Sequence, residues 1–295
     1  MNKFTRRTVI AAACAAAAMT FGPMSFAQQA PEKKDVTIAV GGKSLYYYLP
    51  LSIAEQLGYF KDEGLNVKIV DFQGGSRSLQ AVVGGSADVV SGAFEHTISM
   101  QAKKQPMTAF VLQGRAPQLA LVVSNKTMKD YKQLSDLKGK KVGVTAPGSS
   151  SQMVANFILK KGGLGPKDVA FIGVGSSSGA VSAIRSGQID ALINLDPVIT
   201  ILLKNGDAKL VADTRKVKES ESFFGGTMPA GCLYAPVSFI EKNPQTVQAL
   251  TNAIVRADEW LSKATPEEVA KVVPASYLMG CLLYTSPSPR DVEES

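Results

Sequence analysis

The chain has 295 residues, of which 45% are hydrophobic, 19% charged and 7% aromatic, and it carries a formal net charge of +7. That composition is globular and supplies one large core or two smaller ones. The basic residues are dispersed, with no block interleaved with aromatics, so no nucleic-acid partner is expected; the moderate positive charge favours anionic ligands or surfaces.

The N-terminal stretch MNKFTRRTVIAAACAAAAMTFGPMSFA has the grammar of an export signal. Lys3, Arg6 and Arg7 precede an Ala-rich apolar centre, and Ser25-Phe26-Ala27 fits a small-residue cleavage site, so residues 1–27 are read as a signal peptide. Arg6-Arg7 fit either a general or a twin-arginine route. Only a short apolar run precedes Cys14, and the small-residue site lies further on, which disfavours a lipid anchor at that cysteine. No later segment has eighteen consecutive apolar residues, so nothing beyond the signal reads as a membrane span.

Next come strands alternating with helices. DVTIAV at 35–40 alternates and is β-rich. LPLSIAEQLGYFKDEG has helical spacing and ends at Gly64, a C-cap candidate. LNVKIVDF, VVSGAF, KVGVTAP at 141–147, DVAFIGVG and ALINLDP read as further strands. SSSQMVANFILKKGGL reads as a helix with Met153, Phe157 and Leu164 on one side. Alternation of this kind predicts parallel sheets with right-handed crossovers. At the far end, CLLYTSPSPRD, residues 281–291, resembles the in-frame translation of a sequencing-library adapter, which would end the natural sequence near Gly280. Without residues 1–27 and 281–295 the charge is +6, since Lys3, Arg6, Arg7 and Arg290 leave together with Asp291, Glu293 and Glu294. Cys232 then stands alone, so no intramolecular disulfide forms and a buried apolar role is expected for it.

The pattern repeats. AVVGGSADVV and AIRSGQIDAL lie 102 residues apart and place Gly85 over Gly187 and Asp88 over Asp190, which predicts two similar α/β lobes. The repeat also disposes of a tempting motif. Gly175-Ser176-Ser177-Ser178-Gly179 matches the G-x-S-x-G of serine hydrolases. Its counterpart FQGGSRSLQAV in the first half is the same strand–turn–helix without the motif, and a nucleophile elbow needs a histidine downstream. The single histidine, His96, lies far upstream.

PLSIAEQLGYFKDEGLNVKIV, followed by GGS and GSADVVSG, resembles periplasmic solute-binding proteins of the nitrate/sulfonate/taurine ABC importer family. LKGKKVGVTAPGSSSQ and GQIDALINLDP carry the same likeness, which spans roughly residues 35–280. The resemblance implies a type II periplasmic-binding-protein fold: α/β, with two similar three-layer lobes joined by two crossover strands and a ligand cleft between them. LALVVSN at 119–125 would be the outward crossover and AGCLYAPVSF at 230–239 the return. The lobes would then be 34–120 plus 236–280, and 121–235. It further implies a monomeric periplasmic receptor, not an enzyme, that captures a small organic anion and delivers it to an inner-membrane ABC permease. The alternatives are a pyrimidine-precursor-synthase-like enzyme on the same fold, for which only His96 and Cys232 are at hand, and a periplasmic ligand sensor.

Ligands of open α/β sheets bind beyond the carboxyl ends of strands. Six turns meet that condition: 41–48, 73–76, 91–96, 147–152, 175–179 and 194–197. Gly148, Ser149 and Ser150 open a helix, where free N–H groups and the dipole favour an anion; one of these serines is expected to cap that helix in any case. Gly75 and Ser76 open the equivalent helix of the first half. Ser44, Leu45 and Tyr46 belong to the first turn, whose Tyr46, Tyr47 and Tyr48 cannot all face one way. Phe94 is a candidate cleft wall. Glu95 would repel an anion unless it pairs with a cationic ligand group, Lys43 or Arg77. His96 reads as solvated or capping, and one histidine makes no zinc site. Asn194 can donate to a ligand oxygen, Asp196 can cap the next helix, and Thr227 can add a hydroxyl. Lys43 and Arg77 are the candidate cations. No cofactor or metal is expected.

Overall fold

The computed structural model describes residues 30–277. The expected export signal and the adapter-like tail lie outside the described residues. The first half runs β1 (Asp35–Val40), a 3-10 turn at Tyr46–Tyr48, α1 (Leu49–Gln56), α2 (Tyr59–Asp62), β2 (Asn66–Asp71), α3 (Gly75–Val83), β3 (Val89–Ala93), α4 (Glu95–Ala102) and β4 (Met107–Leu112). The second runs β5 (Ala120–Ser124), β6 (Lys141–Val144), α5 (Ser150–Lys161), β7 (Ala170–Gly173), α6 (Ser178–Ser186), β8 (Ala191–Asn194), α7 (Val198–Lys204), β9 (Ala208–Asp213) and α8 (Val217–Phe224). The chain closes with β10 (Gly231–Pro236), α9 (Val237–Lys242), α10 (Pro244–Leu261) and α11 (Pro266–Val272).

These strands form two five-stranded sheets, ordered β2-β1-β3-β10-β4 and β7-β6-β8-β5-β9. The two orders are the same sentence written twice. In each, three parallel strands are followed by one antiparallel strand that arrives from the other lobe: β10 beside β3, and β5 beside β8. The expected all-parallel sheets are therefore mixed. The reason is topological: a strand entering from the opposite lobe needs no crossover helix of its own and can insert in the opposite sense. Since β10 pairs with β3 and β4, the return to the first lobe falls at about residue 230, earlier than the boundary at 236 read from the sequence.

The predicted duplication has an atomic counterpart. Asp88 accepts from the Thr37 amide at 2.9 Å and Asp190 from the Lys141 amide at 3.0 Å. Each aspartate thus ties the start of one parallel strand, β3 or β8, to another, β1 or β6. Gly85 and Gly187, with φ of 77° and 82°, make the preceding turns, a conformation that favours glycine.

Two local expectations differ from the structure. The long helix expected up to Gly64 is two short ones, α1 and α2, broken at Gly58, whose φ is 78°. In α5 the buried face is Val154, Ala155, Ile158 and Leu159, while Phe157 is exposed and stacks edge-on against Phe224 with centroids 5.4 Å apart. α10 buries Thr246, Ala249, Leu250, Ala253, Ile254 and Ala257, positions three and four apart that make one apolar stripe. That stripe packs on α1, α2 and β4, fixing the tail of the chain to the first lobe. No helix among the described residues is long and apolar enough to cross a membrane.

Candidate functional site

The carboxyl ends of the central strands of both sheets face each other, and the helices that follow aim their N-termini into the gap. Ser149 is the N-cap residue of α5, yet its side chain makes no bond to its own helix. Its hydroxyl instead accepts from the Ser76 amide at 3.1 Å and donates to the Ser76 hydroxyl at 3.2 Å. Ser76 Oγ donates onward to the Pro147 carbonyl at 3.0 Å. The expected intrahelical cap is thus replaced by a cap given to the other lobe: Ser149 satisfies an N-terminal N–H of α3, one of the donors a helix leaves open. Gly148 lies opposite Ser76 and donates to Gln152 Oε1 at 2.7 Å, which closes the loop before α5.

Closure at this seam requires bare backbone at two places. A Cβ on Gly74, whose φ is 88°, would stand 2.8 Å from the Ala146 Cβ of the other lobe. A Cβ on Gly42 would run into the Ser176 hydroxyl. The glycine turns set the closest approach of the two halves. On the far side of the gap the Tyr46 amide donates to the Asp196 carbonyl at 3.1 Å.

Between these contacts lies an enclosed cavity of about 30 Å³, lined by Leu45, Tyr47, Gly75, His96, Ser149 and Ser150 among others. That holds a water or two in the closed form, well below a typical ligand site. His96 is 2% exposed and lines the cavity, contrary to the solvated or capping role read from the sequence. Its Nδ1 shares a 2.9 Å hydrogen bond with the Tyr234 hydroxyl, and Nε2 has no partner of good geometry among the described residues. Burial lowers its pKa to about 4, although the Gly148 backbone nearby pulls partly the other way. At neutral pH it is an uncharged ring fixed by Tyr234.

Glu95 is also buried, with neither carboxylate oxygen partnered among the described residues. Desolvation raises its pKa to about 7, against a smaller opposing effect of its own backbone N–H. Neither Lys43 nor Arg77 reaches it: Lys43 pairs with Glu55 at 2.7 Å, and Arg77 is exposed.

The remaining candidates separate by location. Leu45, Gly75, Ser149 and Ser150 line the enclosed cavity. Tyr46 and Asp196 line a neighbouring hollow. Asp196 also caps α7, accepting from the Thr200 amide and hydroxyl at 3.0 and 2.7 Å. Ser44 is half-buried in the first turn. Phe94 packs with Phe72 and Leu79 against the core around Tyr234. Asn194 is fully buried and spent within its own lobe, donating to the Gly175 carbonyl and accepting from the Leu195 amide. Thr227 is exposed and donates to Glu221 at 3.1 Å, on neither cavity wall. Cys232 is fully buried, and burial raises its thiol pKa to about 12. The sequence reading passed over Arg115 and Arg215, which line the neighbouring hollow. Neither lies in one of the strand-end turns or crossover strands read from the sequence, so no local pattern pointed to them.

A family model described as NMT1/THI5 like matches residues 46–269. The chain belongs to the NMT1/THI5-like family. A solved protein from Bordetella bronchiseptica RB50 is 60% identical, with a TM-score of 0.85 over 90% of this chain and 84% of that one. The alkanesulfonate-binding protein SsuA from Xanthomonas axonopodis pv. citri, bound to MOPS, shares the fold with a TM-score of 0.64 at 21% identity, over 89% of this chain and 83% of that one. The periplasmic nitrate-binding protein NrtA from Synechocystis PCC 6803 does so with a TM-score of 0.69 at 18% identity, over 83% and 66%. Among curated relatives, YtlA of Bacillus subtilis (strain 168), named as a binding protein, is 25% identical over 92% of this chain and 79% of its own length. A 4-amino-5-hydroxymethyl-2-methylpyrimidine phosphate synthase of Candida albicans (strain WO-1) is 24% identical over 77% and 67%. This NMT1/THI5-like chain thus has the two-lobed fold of periplasmic binding proteins, and its curated relatives carry names both of a binding protein and of synthases.

Proposed function

We propose that this chain is the exported substrate-binding component of an ABC importer. It captures a small organic anion by closing its lobes about the two crossing segments, then delivers it unaltered to a membrane permease. The observation that carries the reading is the meeting of two helix N-termini from different lobes, α3 and α5, across one cavity, joined through Ser76 and Ser149. Such termini present N–H donors and positive dipole ends to an anion. The lobes need only part far enough to admit it, and the serine bridge then yields its donors to the ligand. Glu95 does not oppose this at mildly acidic pH, because it holds a proton below about 7. The named ligands of SsuA and NrtA, alkanesulfonate and nitrate, suggest the same anion chemistry here.

The synthase relatives favour a second reading, an enzyme on this scaffold. The side chains at hand suit it less well. His96 is held neutral with a pKa of about 4, and the Cys232 thiol is held protonated, whereas a base or nucleophile working near neutrality needs a pKa close to the ambient pH.

Titration calorimetry with nitrate, alkanesulfonates and MOPS tests the proposal. At least one is expected to bind, and Ser149→Ala plus Ser150→Ala is expected to weaken it about tenfold while the melting transition stays cooperative. Unchanged affinity in that double variant would contradict the paired-helix clamp.

A further inference from the structure

On the hinge side of the cleft a second hollow, of about 350 Å³, adjoins the enclosed cavity. Tyr46 and Tyr47 bound it from the first lobe, Asp196 and Arg215 from the second, and Arg115 and Gln118 from the outgoing segment. Tyr47 lines both spaces, so its ring is the partition between them. The ring sits edge-on to Tyr48, and its hydroxyl makes a long 3.4 Å contact to the Gly92 carbonyl, a weak tether for a partition. The enclosed cavity is too small for most organic ligands, whereas the hollow is of ligand size.

Two further features single the hollow out. Gln118 has a φ of 60°, a left-handed conformation costly for a non-glycine residue and concentrated at clamps and switches. Its amide donates to the Thr214 carbonyl at the end of β9 at 3.1 Å, which holds it there. The charges are also unequal. Arg215 spends its guanidinium on Asp213 at 2.8 Å and Asp196 at 3.2 Å. Arg115 is exposed on the rim and has no hydrogen-bond or ion-pair partner among the described residues. The two arginines are matched in number by Asp196 and Asp213, but both carboxylates face Arg215, which leaves Arg115 as the cation without an ion-pair partner, beside two aromatic rings.

We propose that this hollow is a second ligand subsite. The ligand's first anionic group is held at the α3 and α5 N-termini, its spacer passes Tyr47, and a second anionic group pairs with Arg115. The ligand class is then a small dianion whose acidic groups are separated by an alkyl or aromatic spacer. This inference rests on the anion reading of the enclosed cavity given above.

The test compares alkane monosulfonates with α,ω-alkanedisulfonates of increasing spacer length by titration calorimetry, on the wild-type protein and on Arg115→Gln. At one spacer length the second sulfonate is expected to raise wild-type affinity about tenfold over the matching monosulfonate, the scale of one charge-assisted contact. Arg115→Gln should abolish that gain and leave monosulfonate affinity and melting temperature unchanged. Monosulfonate binding with no gain at any spacer length, or a gain that survives in Arg115→Gln, overturns the subsite alone. Failure of every sulfonate to bind the wild-type protein overturns the subsite, and failure of nitrate and MOPS as well overturns the anion reading of the cavity with it.

Discussion

Glu95 and His96 are neighbours in sequence and opposites in electrostatics, because burial disfavours the charged form of each. Glu95 has its pKa raised from 4.5 to about 7. Its contribution to stability is complete below about 4.5 and is lost as pH rises through about 7. His96 has its pKa lowered from 6.5 to about 4. Its contribution is complete above about 6.5 and is lost as pH falls toward 4. Between about 4.5 and 6.5 the two slopes oppose each other, and stability should be nearly flat. Glu95→Gln keeps the shape without the charge. Its melting temperature should exceed that of the wild-type protein at pH 8 by several degrees, the equivalent of about 3 kcal/mol. At pH 4.5 the two should melt together. Parallel pH profiles for variant and wild type would mean that Glu95 is not desolvated. The sequence offered Lys43 and Arg77 as partners for Glu95, and neither reaches it, since Lys43 is taken by Glu55 and Arg77 is exposed. The burial of His96 was not legible, since its neighbours Gly75 and Tyr234 come from the start of α3 and from β10, far off in sequence.

At the scale of elements, the duplication was readable because it resides in backbone chemistry. Gly85 and Gly187 must turn left-handed, and Asp88 and Asp190 must answer strand amides; few residue types do either. Asp88→Ala and Asp190→Ala should each cost about 1–2 kcal/mol in denaturant unfolding, by leaving a strand N–H without its acceptor. A loss in one lobe with none in the other would contradict the equivalence. The misread elements have equally physical causes. Gly58 breaks a run that keeps helical spacing on both sides, and periodicity alone does not see a left-handed residue within it. Phe157 was grouped with Met153 and Leu164 on one side of the helix, but the buried face is Val154, Ala155, Ile158 and Leu159. The antiparallel strands β5 and β10 look like any other strand locally. Their direction is set by a chain that has just changed lobes.

At the scale of the whole molecule the lobes meet at a seam. Thr214, fully buried, donates its hydroxyl to the Leu119 carbonyl at 2.8 Å and accepts from the Leu119 amide at 3.2 Å. These bonds extend the β5–β9 ladder where the outgoing chain enters the second lobe. The seam is the Ser76–Ser149 contact, between residues 73 apart in sequence. The turns that form it were legible as strand ends, but their pairing depends on lobe closure, which no local pattern encodes. The same limit hid Arg115 and Arg215. Gly74→Ala should obstruct the seam, because its added carbon meets Ala146. Ligand affinity should fall at least about tenfold, beyond any loss of stability from the positive φ, which costs a non-glycine residue about 1–3 kcal/mol in this region. Wild-type affinity in Gly74→Ala would show that full closure is not needed for binding. The central claim, that two helix N-termini from opposite lobes grip one solute and release it unchanged, is tested most directly by hydrogen exchange. The amides of residues 74–77 and 148–151 are followed with and without a saturating alkanesulfonate, and the ligand is recovered for mass analysis. Both segments should slow together and the ligand should return intact. Slowing confined to one lobe, or a chemically altered ligand, would contradict the account.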